Sequence, residues 1–172
     1  VALAWLEKAG IEWADDLPPV RHAHQAAGEG PDLLPVIRQQ LSSGLNAPLT
    51  SSMGRLFDAA AAIAGIRQTV SYEAQAAIEL ESLAEPAETG YYPLQLSGEL
   101  LDPAPMLRAM VADLRAGVSL PIVSARFHNG IAEAVGMVCR ALRNQHGLET
   151  VVLSGGVWQT IFLLRRAFSR LE

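Results

Sequence analysis

The longest periodic segment of the chain, residues 121–145, constrains the fold more than any other feature. Its apolar side chains recur at spacings of three and four residues, as they do along one face of an α-helix. These side chains are Val123, Phe127, Ile131, Val135, Val138 and Leu142, and the segment ends at Gly147. We therefore predict a long, buried central helix.

Helical patterns predominate in the rest of the chain. We predict further helices over residues 2–9, 22–27, 36–41, 50–65, 71–83, 103–115 and 157–171. Prolines and glycines interrupt residues 15–35 and should break any longer pattern there. Hydroxyls near residue 50 and Ser71 are expected to cap their helices, and Asp102 followed by Pro103 is typical of a helix start.

Only two segments have the pattern of strands. Residues 91–101 alternate Leu94 and Leu96 with polar residues around a Ser-Gly turn, which predicts a hairpin or two short strands. The apolar run Val151–Leu153 predicts one more strand. The predicted fold class is thus α/β, predominantly helical.

Composition excludes several classes of protein. Half of the 172 residues are hydrophobic, which is enough for one real core. The net charge of −5 and the lack of a basic block disfavour direct binding to nucleic acid. No stretch is long and apolar enough to span a bilayer, and the single cysteine allows no internal disulfide, so we expect a cytoplasmic protein. Because the chain begins with Val1 and enters a helix at once, we expect a piece of something longer.

A Ser-Gly-Gly sequence follows the predicted strand and precedes the last predicted helix. Ser154, Gly155 and Gly156 would leave backbone N–H groups bare at the positive end of a helix dipole, an arrangement that favours phosphate. A turn that needs glycine only for its dihedral angles explains the same residues. The motif alone leaves both interpretations open.

Two helix starts carry polar residues that could assist such a loop. Gly54 allows close approach, and Arg55 and Asp58 lie three residues apart, so that Asp58 could accept hydrogen bonds from a ribose while Arg55 pairs with it or with an anion. Glu73 and Gln75 add an acid and an amide at the next helix start. A solvated Arg–Asp pair and ordinary capping are the alternatives.

Other reactive residue types give weaker signals. His22 and His24 have no further ligand nearby in the sequence, so a metal site there is disfavoured. His128 could reach the Ser-Gly-Gly loop, although a helix histidine is more often satisfied by a neighbouring carbonyl. Cys139 is most simply a packed residue. No residue is a convincing nucleophile or general base, so the catalytic residues stay unassigned.

Four stretches taken together resemble a known family. In order and spacing, residues 50–65 (TSSMGRLFDAAAAIAG), 71–81 (SYEAQAAIELE), 125–134 (ARFHNGIAEA) and 151–159 (VVLSGGVWQ) resemble the carboxy-terminal region of the HypF carbamoyltransferases. Transferases of the TsaD type, which act on tRNA, share the G-x-x-F-D and S-G-G-V patterns. In those relatives, however, the segment matching residues 72–75 usually reads Tyr-Pro-Gly-Gly, so this sequence is more similar to HypF.

The resemblance implies a fold and an activity. The implied fold is a partial lobe of the actin-like, sugar-kinase and Hsp70 ATPase (ASKHA) architecture, with residues 1–172 forming a single fragment of a larger TsaD-like domain. The implied reaction forms carbamoyl adenylate from carbamoyl phosphate and ATP. It then passes the carbamoyl group to the carboxy-terminal cysteine of HypE, for synthesis of the cyanide ligands of nickel-iron hydrogenases. The fragment alone is expected to be inactive.

The same resemblance assigns roles to residues. Asp58 matches an aspartate at the nucleotide sugar, and Gly155 and Gly156 match glycines that approach the nucleotide or its phosphates. The candidates for contact with ATP or carbamoyl adenylate are Gly54, Arg55, Asp58, Glu73, Gln75, Ser154, Gly155, Gly156 and Thr160. Thr160 stands where the family usually has asparagine, so it keeps a hydroxyl but lacks the amide. The family's metal ligands would lie outside this chain.

Two other kinds of function are compatible with the sequence. The first is a related transferase with a different acceptor, either an O-carbamoyltransferase or a tRNA threonylcarbamoyl transferase. The second is a non-catalytic helical interaction module, in which Asp58 and Gly155 would not line one cleft. A fragment with open apolar edges is also expected to self-associate.

Overall fold

Eight α-helices, one short antiparallel hairpin and one 3₁₀ helix form the computed structural model, which describes residues 1–172. The α-helices are α1 Ala2–Lys8, α2 Pro18–Ala27, α3 Leu33–Ser43, α4 Met53–Ile63, α5 Gln75–Ser82, α6 Ala104–Arg115, α7 Leu120–His146 and α8 Ile161–Leu171. Strands β1 Gln95–Ser97 and β2 Leu100–Asp102 form the hairpin, and the 3₁₀ helix is Gly156–Gln159. None of these helices is long and apolar enough to cross a bilayer.

Helix α7 is the long central helix that the periodicity predicts. Its amino-terminal half is buried, with Val123, Phe127 and Ile131 almost fully shielded from solvent. Gly147 ends it in the left-handed conformation, at φ 68°, as its position in the sequence indicates. Helices α5, α6 and α8 pack against α7. The carboxy-terminal part of α7, from Arg140 onward, is exposed.

A second buried helix, α4, organises the other side of the core. Its residues Ala59–Ile63 are all buried, because small alanine side chains let neighbouring helices approach closely. Helices α1, α2 and α5 pack against it. The core is one contiguous hydrophobic cluster that joins this group to α6, α7 and α8.

Prolines lie in the first turns of helices α2 and α3, where the sequence analysis expected interruption. Helix α2 starts at Pro18 instead of residue 22, and α3 starts at Leu33 instead of residue 36, with Pro35 in its first turn. A proline in the first turn lacks only an N–H that would have no helical partner there. Asp32 caps α3 by accepting a hydrogen bond from the Leu34 N–H at 3.1 Å.

The predicted hairpin and the helix after it are confirmed. Strand β1 pairs with β2 so that Gln95 faces Asp102 and Ser97 faces Leu100, around a turn at Gly98. The Asp102 side chain accepts a hydrogen bond from the Ala104 N–H at 2.9 Å, which caps α6.

Four local predictions were wrong. The hydroxyls near residue 50 do not cap α4, which begins at Met53 with no side-chain capping bond from Ser52. Residues 151–153 form no strand, because the chain offers no neighbouring strand to pair with their backbone, and Val152 is 82% exposed. Helix α8 begins at Ile161 instead of residue 157, after the 3₁₀ helix. Helix α5 begins at Gln75, and Ser71 does not cap it, because Ala74 takes a left-handed conformation at φ 63°. The chain is therefore mostly helical, and its sheet has two strands.

Candidate functional site

Arg55 and Asp58 form an ion pair at the start of α4. The Arg55 Nη1 atom donates to Asp58 Oδ2 at 2.9 Å, as the spacing of three residues on one helix face allows. Arg55 is exposed, whereas Asp58 is partly buried. Gly54 lies directly before the pair, and a β-carbon there would meet only the Ser52 hydroxyl, at 3.6 Å. The sequence prediction of a pair at this helix start is confirmed.

This ion pair lines an open cleft of about 340 Å³. Its walls are mostly apolar and come from α1, α2, α3, α4 and residues 67–76. The polar side chains in the lining are His22, Arg55, Asp58, Arg67 and Gln68. The volume lies within the range of small-molecule pockets, about 300–1,000 Å³. A mostly apolar cleft with a few convergent polar groups is the usual form of a small-molecule site.

A polar network holds the turn that precedes α5. Gln75 is buried, and its side chain accepts a hydrogen bond from the Ser71 N–H at 2.8 Å and donates one to Glu79 at 2.9 Å. Arg67 donates to both oxygens of Glu79, at 2.8 and 2.5 Å, and these bonds hold the pKa of Glu79 below its usual value. Gln75 therefore ties the turn together, while Glu73 is exposed to solvent.

The glycine segment, residues 154–160, is open to solvent along its first three residues. Gly155 has a φ of 97°, which side-chain-bearing residues rarely adopt, and no atom lies within 4 Å of a β-carbon position at Gly155 or Gly156. The backbone can therefore be approached closely from outside. The 3₁₀ helix of this segment packs against α4 and α8.

The amino terminus of α8 does not match the expected anion site. Thr160, the residue before the helix, is buried and makes no side-chain capping bond. Instead, the Glu81 carboxylate of α5 accepts a hydrogen bond from the Phe162 N–H at 2.7 Å. A carboxylate of the protein thus already lies at the positive end of the α8 dipole. The exposed N–H groups of the glycine segment, and not the start of α8, are the groups free to meet an anion.

The predicted site residues fall into three groups: Gly54, Arg55 and Asp58 on α4, Glu73 and Gln75 at the start of α5, and Ser154, Gly155, Gly156 and Thr160 in the glycine segment. Arg55 and Asp58 line the cleft, and no residue of the glycine segment does. The glycine segment contacts α4 from outside this cleft. The first and third groups are neighbours through α4, but residues 154–160 do not line the cleft that contains Asp58.

An aromatic cluster connects two of the motifs, residues 50–65 and 125–134, with helix α8 inside the core. Phe57 of α4 and Phe127 of α7 meet edge to face, with ring centroids 5.0 Å apart. His128 lies between Phe57 and Phe162, at centroid distances of 5.4 and 5.5 Å. Edge-to-face pairs of this kind are favourable beyond the area that they bury. These aromatic residues set the packing of α4, α7 and α8 behind the candidate site.

His128 belongs to this core and does not reach the glycine segment. Its Nδ1 atom lies 2.7 Å from the Ser124 carbonyl oxygen, to which it donates a hydrogen bond, and its Nε2 atom has no protein partner. Burial lowers the pKa of His128 to about 4, so the ring is neutral near pH 7. The explanation of a helix histidine satisfied by a neighbouring carbonyl is confirmed.

The remainder of the 125–134 motif fastens a loop, a role that the sequence analysis missed. Asn129 donates to the carbonyl oxygens of Glu88 and Gly90, at 3.0 and 2.8 Å. A β-carbon at Gly130 would lie 2.1 Å from the Tyr92 carbonyl oxygen, so only glycine fits. An asparagine next to a glycine on the buried face of an apolar helix was the available signal.

The residues of this chain do not fit the metal ion that the resemblance implies. No group of three or more His, Cys, Asp or Glu side chains lies close enough together to hold one. His24 lies 3.3 Å from Asp15 and 3.5 Å from Asp32, an arrangement of one ring between two exposed acids. We assign no metal ligand to this chain.

Comparison with known proteins places the chain in a class. The whole of residues 1–172 matches a family model described as the second subdomain of the Kae1-like domain of carbamoyltransferases. The carbamoyltransferase HypF of Rhodobacter capsulatus is 44% identical over 163 residues, which cover 92% of this chain and 20% of that protein. HypF of a Synechocystis strain is 36% identical over 141 residues, which cover 79% of this chain and 18% of that protein.

A solved structure supports the same family assignment as these relatives. The crystal structure of full-length HypF in its phosphate- and nucleotide-bound form superimposes with a TM-score of 0.79 at 37% identity, over 84% of this chain and 23% of that one. The chain belongs to the HypF family of carbamoyltransferases. It spans about a fifth of the length of these curated relatives.

Proposed function

We propose that this chain is the nucleotide-holding subdomain of a carbamoyltransferase that acts in hydrogenase maturation. In the proposed reaction, hydrolysis of carbamoyl phosphate gives carbamate and inorganic phosphate, and the carbamate oxygen attacks the α-phosphorus of ATP to give carbamoyl adenylate and pyrophosphate. The carbamoyl carbon is then attacked by the thiolate of the carboxy-terminal cysteine of a HypE-like acceptor, which releases AMP. The observation that carries the proposal is the similarity along the whole chain to a family whose solved member binds phosphate and nucleotide. The larger assembly is proposed to be an ASKHA-type domain.

In this proposal the chain contributes binding and orientation. Asp58 would accept hydrogen bonds from the ribose hydroxyls, and Arg55 would orient that carboxylate, since the two already form a bond of 2.9 Å. The open backbone of Gly155 and Gly156 would donate N–H groups to the phosphates. Holding the adenylate in place favours transfer by positioning the acyl carbon for attack.

Several further properties follow from the same proposal. Because no side chain of this chain is placed as a nucleophile or general base, the 172 residues alone should have no transferase activity. Exposed apolar side chains such as Leu49 and Val152 give the isolated chain a reason to self-associate. A cytoplasmic location and a metal ion bound elsewhere in the complete domain belong to this proposal as well.

A helical interaction module without a nucleotide site is the second candidate. The observation that favours it is the absence of Gly155 and Gly156 from the lining of the cleft that contains Asp58. In that case the glycines serve the turn before the 3₁₀ helix, and the exposed ion pair of α4 has no ligand.

A titration with ATP separates the two candidates. The complete HypF-like protein that carries this subdomain is titrated calorimetrically, unaltered and with Asp58→Asn. Loss of a charged hydrogen-bond acceptor should weaken binding roughly ten- to hundredfold. Asp16→Asn is the matched control, because Asp16 is also a partly exposed carboxylate bonded to an arginine, Arg115, but lies outside the cleft lining. Equal affinities for all three proteins would contradict the nucleotide proposal.

A further inference from the structure

The contact between Glu81 and the start of α8 joins the 71–81 motif to a helix that is far away in sequence. The Phe162 N–H donates to Glu81 Oε1 at 2.7 Å, across 81 residues. Helix α8 has no acidic residue of its own in its first turn, and Thr160 supplies no side-chain cap. Glu81 is therefore the side chain that satisfies an otherwise open N–H at this helix start.

Helix α5, which carries Glu81, is itself held firmly. The Ser124 hydroxyl of α7 donates to the Leu80 carbonyl oxygen at 2.5 Å, next to Glu81. At the other end of α5, Gln75 ties down the turn over residues 71–75. Through its bond to the Phe162 N–H, the Glu81 carboxylate therefore holds the start of α8, and the residues just before it, in place against α5.

The first three residues of the glycine segment that precedes α8 have few contacts of their own to hold them in place. Residues 154–156 are exposed, and Gly155 and Gly156 have no contacting atoms around their α-carbons on the β-carbon side. Glycine residues lose more conformational freedom on ordering than any other residue. The hydrogen bond at Phe162 is the nearest side-chain bond that follows the glycines in the chain.

We infer that Glu81 is a positioning residue for the glycine segment, which it fixes by capping α8 from α5. The effect on ligand binding rests on the proposed function, whereas the effect on the glycine segment does not.

The test compares Glu81→Ala with Glu81→Gln in the complete HypF-like protein. The glutamine keeps an acceptor oxygen and should preserve the bond to Phe162, whereas the alanine removes it. Asp102→Ala is the matched control, because Asp102 also caps a helix, α6, with its carboxylate. Amide hydrogen exchange is measured at residues 155–162 without ligand, and ATP affinity is measured by calorimetry.

We expect Glu81→Ala to speed exchange at residues 155–162 and to weaken ATP binding roughly two- to thirtyfold, the range for a lost helix cap. Glu81→Gln should restore both to within about threefold, and Asp102→Ala should change neither. Unchanged exchange at residues 155–162 in Glu81→Ala would overturn the inference. Equal weakening of ATP binding by Glu81→Ala and Asp102→Ala would overturn it too. If the unaltered protein bound no ATP, the proposed function would fail, and the exchange data would still decide the role of Glu81.

Discussion

Gly130 of α7 offers a sharp test of how the chain is packed. A β-carbon at this position would lie 2.1 Å from the Tyr92 carbonyl oxygen and 2.7 Å from the Met106 methyl carbon. The carbonyl cannot easily retreat, because the Tyr92 N–H donates to the Arg126 carbonyl oxygen at 3.1 Å and Asn129 holds the preceding residues. Overpacking of this kind costs about 3 kcal/mol, at the upper end of its usual range.

The better helix propensity of alanine offsets about 1 kcal/mol of that cost. The net expectation for Gly130→Ala is therefore a loss of about 2 kcal/mol in the free energy of unfolding. For a chain of this length the loss corresponds to a fall of about 4–8 °C in Tm.

Urea denaturation of the 172-residue chain, followed by circular dichroism, measures this loss. Gly54→Ala is the matched control, since it makes the same change in a helix where the nearest atom to the new β-carbon would be the Ser52 hydroxyl at 3.6 Å, an ordinary contact. Gly54→Ala should leave stability unchanged or raise it by up to about 1 kcal/mol. If Gly130→Ala were as stable as Gly54→Ala, the close approach of Tyr92 to α7 would be refuted.

Two further predictions concern buried polar groups. Burial lowers the pKa of His128 to about 4, so as the pH falls the unfolded chain takes up this proton before the folded chain does. The free energy of unfolding should therefore decrease by about 3 kcal/mol as the pH falls from about 6.5 to about 4. His128→Phe should abolish that part of the pH dependence in denaturation curves, and an identical slope in both proteins would contradict a neutral buried ring. Tyr92→Phe removes the bond of 2.7 Å from the Tyr92 hydroxyl to Asp113 and should cost about 1 kcal/mol, measured in the same assay. A Tyr92→Phe chain as stable as the unaltered one would show that this bond contributes nothing.

Local patterns predicted most of the helices, because those helices depend on neighbours along the chain. Helices α4, α6 and α7 begin or end close to the predicted residues, with Asp102 and Gly147 acting as expected. The prolines of α2 and α3 misled the prediction, because the same residue stops a helix in its interior and starts one in its first turn.

The candidate site was predicted only in part. The Arg55–Asp58 pair is local to one helix and could be foreseen from its spacing. Gln75 and His128 were open to a ligand-binding interpretation, but both side chains bond to other residues of the chain. Gln75 bonds to Ser71 and Glu79, and His128 bonds to the Ser124 carbonyl oxygen. Burial decides which partners they have. The capping of α8 by Glu81 joins residues 81 positions apart, so no spacing rule could have indicated it.

The sequence by itself determined the helical class, the central helix, the hairpin and the family, because periodicity, turn residues and motif order are properties of short stretches. Tertiary structure decided the rest. It buries the 125–134 motif in the core, where Asn129 binds the loop that contains Glu88. It leaves residues 151–153 without a strand partner, and it keeps the glycine segment out of the cleft that contains Asp58. The physical reason is that a strand, a buried polar group and a cleft each need partners from distant parts of the chain.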